Sequence, residues 1–175
     1  MTSLRSSRGM TLVEVLVVFV LLAFLAGAAL TIMNIHNREL NLVAVRGRMQ
    51  MCSETMIEQI GRDVHAGAHV LAVGETWSSS TTYSSLALSE MRIVNDTGGL
   101  ARSYRISGNK LQVCDPGGAY ANFNIGSTDI DVATASPFTI SADRENVSVQ
   151  LSLSTTFKNS QYQIPASGGS FRCRN

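Results

Sequence analysis

Three residues near the start of the chain stand where chemistry can be done. Glu14 is a carboxylate inside an apolar run that extends from Met10 to Met33 and is otherwise interrupted by Thr11 and Thr31. A charge at the centre of a membrane helix costs on the order of 3 kcal/mol, and less near the helix end, where the side chain can reach the interface. Glu14 is therefore either an interfacial residue or one that needs a positive partner. Gly9 precedes the run and has no side chain, which leaves its carbonyl open to close approach. Met10 follows it and opens the apolar run, four residues before Glu14.

Elsewhere the chemical candidates are thin. His65 and His69 are spaced to share a helix face, but no third ligand follows at a useful distance. Asp129 and Asp131 form a lone Asp-x-Asp, short of a calcium ligand set. Cys52, Cys114 and Cys173 fit no zinc or redox spacing, and their odd number leaves at least one thiol free or paired between chains. No Gly-x-Ser-x-Gly or phosphate-binding loop is present; Gly98-Gly99 and Gly117-Gly118 read as turns. We expect no enzyme activity, no cofactor and no metal.

The elements that position Gly9, Met10 and Glu14 are visible in composition. Lys and Arg total 14 against 13 Asp and Glu, which gives no basis for a nucleic-acid surface. Arg102, Arg105, Lys110, Arg172 and Arg174 read as solvated charges rather than a binding patch. The first third is apolar and the remainder is rich in Ser, Thr, Asn and Gly, which divides the chain into a membrane part and an exported, β-rich part. From Val15 to Leu30 every residue is apolar or glycine, and about 20 such residues span a bilayer as helix. A secretory signal has a shorter apolar core. Arg5 and Arg8 precede the run and would stay in the cytoplasm, with the rest of the chain outside.

From Asn34 to Ala72 no proline occurs, and Leu42, Val45, Met49, Cys52, Met56, Ile60 and Val64 recur at steps of three and four. That is one face of an amphipathic helix, with its methionines and Cys52 in the core. Gly27 is the residue that could soften the apolar half. Beyond Val73 come short strands: Leu86 to Val94, Ala101 to Ser107, Lys110 to Cys114, and Asn146 to Ser154. Gly108-Asn109 supplies the positive φ values of a two-residue hairpin turn. Val147, Val149, Leu151 and Leu153 alternate with polar residues, as in a half-buried antiparallel strand. The predicted fold is α+β: one long N-terminal helix, its first half transmembrane, packed on an antiparallel sheet.

The stretch Arg8-Gly9-Met10-Thr11-Leu12-Val13-Glu14-Val15-Leu16-Val17 resembles the N-terminal signal of type IV pilins and type II secretion pseudopilins. The resemblance implies a prepilin peptidase that cuts after Gly9 and methylates Met10. It also implies that Glu14 pairs with the N-terminal amine of a neighbouring subunit. It divides the chain into a leader (1–9), a membrane or filament-core helix (10–33), an amphipathic helix (34–72) and a β-rich part (73–175). Met10 replaces the usual phenylalanine, and the apolar run lacks the helix-kinking proline common in the family; the first proline is Pro116. Residues 57–68, with Arg62-Asp63 before Gly67-Ala68, and the ending Phe171-Arg172-Cys173-Arg174-Asn175 resemble PilW-like minor pilins and J-type minor pseudopilins. Such a subunit would start or cap a type IV or competence pilus, or serve type II secretion. The implied partners are the peptidase, other major and minor pilins, an inner-membrane assembly platform and lipid. A disulfide near the C-terminus is common in the family, and a Cys114–Cys173 bridge is one pairing it suggests. A bitopic membrane enzyme or sensor is the alternative of a different class; it would have no need of Glu14.

Overall fold

A computed structural model describes residues 11–79, 81–123, 130–157 and 160–174. Helix α1 runs Leu12–Ala66. Among the described residues it is followed by twelve strands: β1 (His69–Leu71), β2 (Leu86–Leu88), β3 (Glu90–Val94), β4 (Leu100–Ser107), β5 (Lys110–Cys114) and β6 (Ala121–Asn122), then β7 (Ile130–Val132), β8 (Phe138–Ile140), β9 (Asn146–Leu151), β10 (Leu153–Phe157), β11 (Ser160–Gln163) and β12 (Ser167–Arg172). The chain forms two compact units that divide within α1, the first ending at Val45 and the second starting at Arg46.

In the first unit the helix is exposed around its whole circumference up to Asn41. A helix apolar on all sides needs an apolar surround. It stays helical through Gly27, whose carbonyl accepts a 2.9 Å hydrogen bond from the Thr31 hydroxyl.

In the second unit Met49, Met56, Ile60 and Val64 are buried. Burying each such side chain contributes about 1.5–3 kcal/mol. They cover antiparallel sheets, which completes the α+β, pilin-like arrangement. Cys52, expected inside with them, is half-buried, and Ser53 takes the inner place, its hydroxyl hydrogen-bonded to that of Ser167. The described strands form the sheets β1-β3-β4-β5-β6, β11-β10-β7 and β12-β9-β8-β2. Gly108 and Asn109 both sit at positive φ and close the β4–β5 hairpin, as a two-residue turn requires.

Three boundaries differ from the sequence reading. The helix ends at Ala66, not Ala72, where the backbone donors pass from helix to sheet: Gly67 N still bonds Asp63 O, and a Cβ on Gly67 would collide with Ile93 Cγ2. Ala68 N then donates to Val94 O, and β1 begins one residue later. The expected strand Leu86 to Val94 breaks at Ser89, which puts β2 and β3 in different sheets. The expected strand Asn146 to Ser154 breaks at Ser152. There the backbone N donates to Thr134 Oγ1 and the hydroxyl to Ile164 O, so β9 and β10 continue one another across two sheets.

Candidate processing and assembly site

Gly9 and Met10 lie outside the described residues. The site is described from Thr11, which precedes the first helical residue, Leu12. Thr11 N donates to Glu14 Oε2 at 2.8 Å and the Thr11 hydroxyl donates to the same oxygen at 3.1 Å. Glu14 N donates back to Thr11 Oγ1 at 3.3 Å. This is a reciprocal capping box, in which each side chain satisfies the other residue's backbone N–H. The N–H groups of a helix's first turn have no partner within the helix, and the box removes orphan donors there. Sequence reasoning missed this role, although the spacing Thr-x-x-Glu before an apolar run signals it. One oxygen of Glu14 is thus held toward its own N-terminus. The carboxylate stays exposed, on a helix whose flanking side chains Leu12, Val13, Leu16, Phe19 and Phe24 are exposed as well. Val20, Ala23, Phe24, Gly27 and Ala28 line a shallow apolar groove of about 500 Å³ on the same helix. Among the described residues α1 is the one helix long and apolar enough to cross a membrane.

The candidates in the second unit fall into structural roles. Cys114 and Cys173 form no bridge; each is a free thiol. Cys114 ends β5 in the five-stranded sheet, and its thiol donates to Asp115 O and Gly118 O within its own turn. Cys173 follows β12 at the edge of the four-stranded sheet. Burial first, then the Glu145 and Asp143 carboxylates, push its pKa up to about 11, since both effects disfavour the thiolate. The bridge that the resemblance suggested is absent, and the two residues finish strands in different sheets.

His65 lies in the last turn of α1, and its Nδ1 faces Arg172 O at 3.4 Å. His69 is in β1 and stacks on Trp77 with ring centroids 3.5 Å apart. With the helix ending between them, the two imidazoles no longer share a helix face. Asp129 lies outside the described residues, while Asp131 pairs with Lys110 Nζ at 2.8 Å. Among the described residues no group of three or more His, Cys, Asp or Glu is placed to hold a metal.

The basic residues read as solvated are mostly engaged. Arg102 bridges Asp63 on α1, at 2.9 Å, and Asp115 after β5, at 2.7 Å. The Asp63 carboxylate also accepts the hydroxyl of fully buried Tyr104. Burial first, and then Asp63, push that tyrosine's pKa well up, because both penalise the phenolate. Asp63 therefore fastens the helix to β4, whereas Arg62 bonds Gln59 Oε1 on its own helix. Arg105 lies 3.7 Å over the Tyr120 ring, and Arg172 pairs with Glu145 at 2.9 Å.

Sequence reasoning also missed Arg144, whose side chain is 1% exposed and whose backbone adopts positive φ. It donates Nη2 and Nε to Glu75 (2.7 and 3.1 Å) and Nη1 to Ser84 O and Ser141 O. Its guanidinium covers Tyr83, which stacks on Trp77. A buried cation persists because all these partners are in place.

Residues 4–30 match the family model described as the prokaryotic N-terminal methylation motif. No curated protein and no solved structure matches the chain. The match covers the start of the helix whose first turn Thr11 and Glu14 close, and it is the prepilin-type signal of the type IV pilins and pseudopilins.

Proposed function

We propose that the chain is a structural minor pilin of a type IV or competence pilus. It is cut after Gly9 by a prepilin peptidase and methylated on Met10. It then enters the filament through α1, where Glu14 meets the amine of a neighbouring subunit and the subunit helps to start or cap assembly. Residues 1–9 act as leader, and 10–33 as membrane anchor and later filament core. The remainder of α1 and the sheets form the domain outside the cytoplasm, displayed from the inner membrane. Its partners are other major and minor pilins, the assembly platform and lipid. The observation that supports this most is the methylation motif at 4–30, carried on a helix whose apolar surface is uncovered.

A J-type pseudopilin of type II secretion is the second reading. The run Arg62-Asp63-Val64-His65-Ala66-Gly67-Ala68, which leads from the end of α1 to β1, resembles both groups alike and supports either reading. The two readings share signal and anchor, and genome neighbourhood separates them. Mass spectrometry of the native protein tests the processing step. The expected species lacks the leader, Met1 to Gly9, and begins with N-methyl-Met10. An intact Met1, or a start near Ala29, would overturn it.

A further inference from the structure

We draw no further inference here: the strongest candidate, the groove of about 500 Å³ between the last turns of α1 and strand β12, with Gly61 and Phe171 in its lining beside Arg62, His65 and Arg172, carries nothing because no feature of the structure shows what covers it.

Discussion

Glu14 holds two positions that substitution can separate, the capping box within its own chain and the proposed charge pair with a neighbour. Gln at the third helical position still completes a capping box, so Glu14→Gln keeps the helix start and removes only the charge. Ala removes both. Losing a cap costs about 1 kcal/mol, a change of roughly fivefold. Leaving a buried amine without its carboxylate costs about 3–5 kcal/mol, which at about 1.4 kcal/mol per decade is roughly two to three and a half orders of magnitude. Thr11→Ala deletes the hydroxyl that accepts Glu14 N and donates to Glu14 Oε2, but leaves the carboxylate in place. We therefore expect Glu14→Gln and Glu14→Ala to anchor, to be cut after Gly9 and to fail at assembly, while Thr11→Ala assembles with a modest loss. The assay is crosslinking and sheared-filament fractionation at equal expression, with mass spectrometry reporting cleavage. If Glu14→Gln assembles as wild type does, or Thr11→Ala fails as badly as Glu14→Ala, the carboxylate is only a cap and the charge-pair argument is wrong.

Other outcomes follow from the second unit and can be read on the full chain in detergent. Asp63→Ala strands the buried Tyr104 hydroxyl and one arm of Arg102, and should cost about 2–4 kcal/mol in urea unfolding. Arg62→Ala, which removes only a bond to its own helix, should leave the unfolding midpoint nearly unchanged. Gly61→Ala drives a methyl into the Phe171 ring and should cost about 1–3 kcal/mol, most of it recovered in the double variant with Phe171→Leu. Burial alone would raise the Glu75 carboxyl, but its bonds to Arg144 and Ala72 N outweigh that and hold its pKa below the ordinary value. The stability it adds is present above the unfolded pKa of 4.5 and is lost as pH falls through the lower folded value. Glu75→Gln should therefore flatten the acid limb of the Trp77 fluorescence transition. Cys173, with its pKa raised to about 11, should resist iodoacetamide at mildly alkaline pH in the native protein and react as an ordinary thiol after denaturation. Rapid native labelling would show the site to be open.

Where one local rule governed, the sequence was enough. The apolar run, the stripe of Met49, Met56, Ile60 and Val64, the Gly108-Asn109 turn and the alternation from Val147 to Leu151 each follow from a period or a single backbone requirement. Ser89 and Ser152 were illegible because a change of sheet depends on partners distant in sequence. Nothing in Leu86 to Val94 distinguishes one strand from two until β4 and β8 are placed. Arg144 was hidden by its neighbours: Asp143-Arg144-Glu145 reads as a solvated turn, and burial of its middle residue depends on Glu75, far back in the chain. The cysteines failed for the same reason, since an odd set of three carries no geometry. Thr11 is the different case: the four-residue signal Thr-x-x-Glu is local and stands in the sequence.

Strand β12 bears on how the domain is made. Ser167 meets Ser53 across 114 positions, Phe171 lies against Gly61, and Arg174 N donates to the Gly67 carbonyl. During synthesis the helical end of the domain thus waits, with part of its inner face bare, for residues translated much later. Contacts of such sequence separation form slowly. The second unit should then pass through a half-finished stage in which β9 has an open flank, the point at which a holdase or a protease would find it.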